Sequence, residues 1–423
     1  MKSKLAIFGG DPVINKNFKQ YNSIGKEEAQ AVQEVMETGV LSKYLGCWHE
    51  DFYGGPKVRE FEKMCEKYFD VKHAVTVNSW SSGLTTAVGA LDIEPGDEVI
   101  TSPWTMTATA AAILHWNAIP VFADIDPKTF CLDPKSVEKN ITPYTKAILS
   151  VDIFGQSANV DALNTIAKKH GLKVISDTAQ APGALYEGEF AGTLTDIGGY
   201  SLNYHKHIHT GEGGILVTND DNYAERMRLI RNHAEAVVGD MGRTDLNNMV
   251  GHNYRLGEIE CAIGIEQLKK LKGFVSRRQE IAKKLTGGLK SLSNLTTPFV
   301  PKEQTHVYYG YPLIYKEGES EITREMIYNA LVAEGVPGLS QNYQNIHLFP
   351  IYQKKIAYGS KGFPWTIANR DVSYEKGICP VAEKLNDSTY LGIAMCMYDF
   401  DDEDIGLIIN AFHKVWNNIE KLR

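Results

Sequence analysis

Through residues 74–233, short apolar runs rich in β-branched residues alternate with stretches of helical period, and the connections between them are as short as crossover units require. This alternation specifies a mostly parallel sheet covered by helices on both faces, so the fold class is α/β. Strand-forming runs are Ala74–Asn78, Glu98–Thr101, Pro120–Ala123, Ala147–Asp152, Lys173–Ser176, Ile197–Ser201 and Ile215–Thr218. Helical spacing marks Ser82–Leu91, Thr107–Trp116, Val160–His170 and Tyr223–His233. A length of 423 residues calls for two or more domains. From Leu256 to about Leu289 the apolar spacing is again helical, with Gly273 a candidate bend or break, and reads as an interdomain helix. Beyond it Asn294–Pro301 and Val307–Tyr315 read as strands, Thr323–Glu334 as a helix and Asp402–Leu422 as an amphipathic helix. The expected division is a large α/β domain over 1–255, followed over 256–423 by that helix and a smaller α+β domain.

Composition removes several classes of function. Hydrophobic residues make up 43% and charged residues 23%, a globular balance rather than a disordered one. Fifty-two acidic against 44 basic residues give a formal charge of −8, which opposes attraction to nucleic acid or anionic membranes. Val99–Ala123 lacks charged residues other than histidine and is long enough to span a bilayer. Pro103, Pro120, His115 and Asn117 interrupt it, and it reads as strand, turn, helix and strand instead. Six scattered cysteines without a CxxC pair, and an opening apolar stretch too short for a secretory leader, point to a reducing compartment, the cytoplasm.

Three segments carry chemistry. In AVTVNSWSSGLTTAVGAL (74–91) a buried-type strand runs through small hydroxyl residues into a helix, a candidate cradle for a phosphate; taken alone, the segment is better explained by an ordinary serine cap, Ser81 or Ser82. In LKVISDTAQAPGA (172–184) Asp177 falls where a hydrophobic strand stops, the place where ligands collect in open α/β sheets, although aspartate also caps turns. In DIGGYSLNYHKHIHTGEGGILVTND (196–220) one lysine, Lys206, stands among His205, His207 and His209 ahead of a glycine-rich turn. The alternating histidines could share a strand face and bind zinc, or Lys206 could form a Schiff base with a carbonyl cofactor. A phosphate cradle, an acid at a strand end and a lysine beside a glycine turn are together the parts of a pyridoxal phosphate enzyme, whereas metal binding explains only the third. Neither GxGxxG after a strand nor GxxxxGK[ST] occurs.

With those residues in place, the chain resembles the DegT/DnrJ/EryC1/StrS sugar aminotransferases, which have the type I, aspartate aminotransferase-like fold. The resemblance runs through GVLS (39–42), PGDEVITSPWTMTATAAAIL (95–114), PVFADIDPKTFCLDP (120–134), SDTAQAPGA (176–184), SLNYHKHIHTGEGG (201–214), RNH (231–233), NYRLGEIECAIGIEQLKKL (253–271) and CPVAEKL (379–385). It implies pyridoxal phosphate as cofactor, with Lys206 as its Schiff-base lysine and general acid–base, and Asp177 as the carboxylate that keeps the pyridine nitrogen protonated. By the same resemblance Gln180 lies beside the cofactor's phenolic oxygen, Ser81 and Ser82 belong to the phosphate turn, and Ser201 is a further phosphate ligand. Asn253 is expected to reach the phosphate of a neighbouring subunit, which makes the assembly a homodimer with shared sites. Two departures stand out: Trp80 takes the place of the usual glycine of the phosphate turn, and Met106, two residues after Trp104, takes that of an aromatic ring against the cofactor. The histidines are then loop polar groups or substrate contacts rather than metal ligands.

The implied reaction moves an amino group from glutamate, or glutamine, to a keto sugar, in this family most often a nucleotide-linked keto-deoxysugar. Another branch aminates keto-cyclitols, and the opening LAIFGGDPV and the segment 340–385 resemble that branch. CWHEDFYGG (47–55) and Gln341–Tyr352, with His347 and Tyr352, are candidate substrate loops. A protein that binds the cofactor or a metal without turnover, as a sensor, is the alternative from a different class.

Overall fold

A computed structural model describes residues 4–317 and 321–423. Residues 1–3, part of the opening stretch read above for a leader, lie outside it. Seven strands form the larger sheet: β1 (His73–Val77), β2 (Glu98–Thr101), β3 (Ile119–Phe122), β4 (Thr145–Val151), β5 (Lys173–Asp177), β6 (Ile197–Ser201) and β7 (Gly214–Thr218), in the order β1-β7-β6-β5-β4-β2-β3. Neighbours from β6 through β3 pair in parallel, and β7 runs antiparallel to both β6 and β1. Successive side chains point to opposite faces, so Ala147 and Leu149 join one core and Ile148 another. That is why these strands are apolar almost throughout: both faces are covered.

The covering helices are α1 (Lys26–Thr38), α2 (Pro56–Phe69), α3 (Trp80–Ala90), α4 (Ala108–His115), α5 (Val160–His170), α6 (Asp221–Arg231) and α7 (Glu258–Leu289). Between β2 and β3, the uncharged stretch Val99–Ala123 is folded as strand, helix and strand; among the described residues no helix is long and apolar enough to cross a membrane. The α7 helix is unbroken over 32 residues, about 48 Å at 1.5 Å per residue, and Gly273 does not break it. A glycine there costs about 1 kcal/mol of helix propensity, which the buried Leu268, Leu271, Val275 and Ile281 on the same helix outweigh.

A second sheet holds β8 (Leu295–Thr296), β9 (Gly310–Tyr315), β10 (Leu339–Ser340) and β11 (Tyr390–Ala394) in the order β8-β9-β11-β10, antiparallel throughout. The expected strand 294–301 shrinks to β8, because Pro298 and Pro301 cannot donate to a ladder. Against this sheet pack α8 (Arg324–Ala333) and α9 (Asp402–Asn417), the latter opened by a capping box between Asp401 and Asp404. The segment 346–385 packs elsewhere. Ile346, Tyr352, Tyr374 and Cys379 share one core with Phe122, Leu132 and Val174 of the larger sheet's side. Asp124 ties it down by accepting from the backbone N–H of Val381 (2.8 Å) and Ala382 (3.0 Å).

Two glycines of α7 should respond oppositely to alanine. A Cβ on Gly264 would lie 2.5 Å from Cζ of the fully buried Phe61, whereas Gly273 faces open space. Gly264→Ala is expected to lower stability by about 1–3 kcal/mol through overpacking, and Gly273→Ala to raise it by about 0.5–1 kcal/mol; thermal unfolding followed by circular dichroism reads both.

Candidate active site

The carboxyl ends of β4, β5 and β6 converge on a cavity of about 280 Å³. Its lining includes Ser79, Trp80 and Ser81 from the start of α3, Met106 and Thr109 from the start of α4, Val151 and Asp177 from the strand ends, and Gln180, Ser201 and Lys206. The sheet therefore gathers into one place side chains spread over more than a hundred residues.

Each is held for a local reason. Asp177, the last residue of β5, is buried and accepts from Trp80 Nε1 (2.7 Å) and Thr109 Oγ1 (2.8 Å). Burial pushes its carboxyl up, while those two hydrogen bonds and the charge of Lys206 pull it down. Lys206 lies in the loop between β6 and β7, with Gly211 at φ +86° turning the chain beyond it. Its Nζ is buried 4.3 Å from the centroid of the Tyr309 ring, and among the described residues no carboxylate comes within ion-pair distance. Burial pushes its pKa down to about 8, with Asp177 opposing. Gln180 is anchored at both ends, accepting from the Phe154 N–H (2.8 Å) and donating to Tyr343 Oη (3.2 Å). Ser201 Oγ accepts from Asn203 N.

The α3 terminus differs in detail from the sequence expectation. The cap is Ser79, whose Oγ accepts from Ser82 N (3.1 Å), not Ser81 or Ser82. Ser81 is exposed and lines the cavity; Ser82 donates to Asn78 Oδ1 (2.7 Å) and is not in the lining. Trp80 is a helical residue, so no left-handed backbone is needed there. Met106 lines the cavity, whereas Trp104 is fully buried beside Phe130. Asn253 is exposed, its Oδ1 accepting from Arg255 Nε, and stays outside the lining although its carbonyl meets Asn78.

His347 and Tyr352, expected as substrate contacts, are not brought to the cavity. They are 0% and 2% exposed in the core beneath segment 346–385, where His347 Nε2 lies 3.0 Å from Glu383 and Tyr352 packs edge-on to Phe122. Aromatic packing holds Tyr352 there and the Glu383 carboxylate holds His347. The three loop histidines point apart: His205 lines the cavity, His207 is buried with Nε2 2.7 Å from the Val307 carbonyl, and His209 Nδ1 accepts from Gly211 N. Sequence reasoning missed Thr109 and Tyr309, and held Tyr343 within the candidate loop Gln341–Tyr352 without singling it out. The tyrosine-rich run 307–315 was the available signal for Tyr309; nothing local marks Thr109. Tyr309 and Tyr343 also line an adjoining cavity of about 170 Å³ with His205, Ser340 and Tyr390.

The donor set fits pyridoxal phosphate: a desolvated amine, a buried carboxylate already holding two donors, and a helix N-terminus with the Ser79, Ser81 and Ser201 hydroxyls for an anion. Because Lys206 is deprotonated far more readily than a solvated lysine, its reductive methylation by formaldehyde and cyanoborohydride, followed residue by residue by mass spectrometry, should reach half its limiting rate near pH 8. Removing the opposing negative charge in Asp177→Asn should move that midpoint to lower pH.

Residues 22–390 match the DegT/DnrJ/EryC1/StrS aminotransferase family. The GDP-perosamine synthase of Caulobacter vibrioides is 38% identical over 77% of this chain and 84% of its own. The L-glutamine:2-deoxy-scyllo-inosose aminotransferase of Micromonospora echinospora is 30% identical over 99% of each. Among solved structures, the aminotransferase from Psychrobacter cryohalolentis superposes with a TM-score of 0.80 at 26% identity, covering 95% of this chain and 100% of that one. A family match over most of the length, a shared fold and a cavity built around a desolvated lysine and a buried carboxylate lead to one conclusion: this chain belongs to the DegT/DnrJ/EryC1/StrS aminotransferases and depends on pyridoxal phosphate.

Proposed function

We propose that the chain moves an amino group from glutamate or glutamine to the carbonyl of a nucleotide-linked keto-deoxysugar, and that Lys206 and Asp177 carry the chemistry. The observation that carries this reading is the convergence of these two buried side chains in one cavity at the N-terminus of α3. Lys206 would hold the cofactor through Nζ, Asp177 its ring nitrogen, Gln180 its phenolic oxygen, and Ser81, Ser201 and the free N–H groups of α3 its phosphate. Met106 and Val151 supply the apolar side of that lining. Bound pyridoxal phosphate supplies an electron-withdrawing ring and a carbonyl that carries the amino group between donor and acceptor. Lys206 Nζ, desolvated enough to be partly neutral near pH 7, takes a proton from the donor's Cα and delivers it again. The adjoining cavity, with the hydroxyls of Ser340, Tyr309, Tyr343 and Tyr390 and the imidazole of His205, suits a polyhydroxylated ring.

The similarity to GDP-perosamine synthase supports a nucleotide sugar as acceptor. One observation favours a second reading, a keto-cyclitol: the inosose aminotransferase matches over the full chain, including the opening and the segment 340–385. A homodimer with shared sites is supported by the exposed Leu41, Leu45, Trp48, Leu246 and Val250 on the segments near Asn253. Six unpaired cysteines suit the cytoplasm.

Purified protein loaded with pyridoxal phosphate should absorb in the visible, lose that band on adding glutamate or glutamine, and regain it with the correct acceptor. Lys206→Ala should abolish the exchange; a protein that stays colourless with added cofactor overturns the reading. Acceptor screening should find a nucleotide-linked keto sugar active, and activity with 2-deoxy-scyllo-inosose in its place selects the second reading. Mixing inactive Lys206→Ala with Asn253→Ala subunits should restore activity that neither parent shows, and no restoration would argue for sites complete within one subunit.

A further inference from the structure

The residue that departs from the expected phosphate-turn glycine sits in a place made for it. The Trp80 indole is buried, and the two glycines beside it leave the space it fills: a Cβ on Gly83 would lie 2.7 Å from its Cε3, and one on Gly199 2.5 Å from its Cζ3 and Cη2. From that slot Nε1 reaches Asp177 Oδ1 at 2.7 Å, while Thr109 Oγ1 takes Oδ2 at 2.8 Å. Thr109 is itself paired with Thr105 Oγ1 (2.9 Å). The carboxylate is thus gripped from α3 on one oxygen, which also accepts from the Ala179 N–H at 3.3 Å, and from α4 on the other, and Asp177 lines the cavity.

We infer that Trp80 is a positioning residue: its indole N–H holds the Asp177 carboxylate ionised and turned towards the cofactor's ring nitrogen, a task that a glycine there cannot perform. This rests on the assignment of Asp177 to the ring nitrogen made above. The need is physical. Asp177 is buried, with the buried Asp152 just past the end of the neighbouring strand β4 and Tyr343 nearby, and Lys206 supplies positive charge. Burial alone favours the neutral acid, which would donate to a ring nitrogen rather than keep it protonated. The Trp80 and Thr109 side chains and the Ala179 N–H, all donating to the ionised form, oppose that, and charge-assisted hydrogen bonds are the stronger kind.

The test compares two ligands of nearly the same shape, pyridoxal phosphate and its 1-deaza analogue, which has carbon in place of the ring nitrogen. Binding of each to cofactor-depleted protein is measured by equilibrium dialysis for the wild type, Trp80→Phe, Thr109→Val and Asp177→Asn. Trp80→Phe keeps a ring in the slot but removes the donor; it is expected to weaken pyridoxal phosphate about tenfold and to leave the analogue unchanged or tighter. Equal losses for both ligands, or none, would make Trp80 a packing residue and overturn the inference. If Asp177→Asn does not itself discriminate between the ligands, the assignment beneath the inference fails instead. Should Trp80→Phe not fold, 3-benzothienylalanine at position 80 keeps both fused rings and removes only the N–H, and the same comparison decides.

Discussion

A carboxylate buried at the end of a parallel strand is costly unless something is built to receive it. In this chain Asp177 sets that requirement, and much of the surrounding structure follows from it. Its two side-chain donors come from different helices, so α3 and α4 must both begin at the same edge of the sheet. The indole that supplies one donor needs two glycines to clear its path, one in its own helix and one in β6. The amine that balances the charge has to be brought in by the loop between β6 and β7. Position, space and charge at one oxygen pair thus constrain five elements at once.

The same economy explains why the sheet was easy to read in the sequence and the periphery was not. All seven strands of the larger sheet were foreseen because each is covered on both faces, so that burial alone selects short β-branched runs bounded by turns. The ends of α5 and the bulk of α7 were equally legible. Gly273 misled because propensity is a small term beside the packing of a long buried face. Short β10 and the irregular chain from 346 to 385 leave no periodic trace, since their form is set by the surface they lie on.

At the site, residues whose chemistry is unusual for their setting stood out: a lysine beside glycines, an aspartate at a strand end. Residues that serve through contact did not. His347 was conspicuous as a histidine in a polar-looking stretch, yet its partner Glu383 lies far along the chain and draws it into the core. Ser79, rather than the two serines after Trp80, caps α3, because the helix begins at the tryptophan itself. Tyr343 became a neighbour of Gln180 only through the docking of the later segment.

The placement of β7 has a consequence for how the molecule is made. β1 is an edge strand whose single neighbour in the sheet is β7, so on the ribosome it must wait until everything from Asn78 to Gly213 has been synthesised. When β7 arrives it pairs with β6 on one side and β1 on the other, and the loop it draws in behind it carries Lys206. Pairing of β1 and anchoring of both ends of the Lys206 loop therefore depend on the same strand.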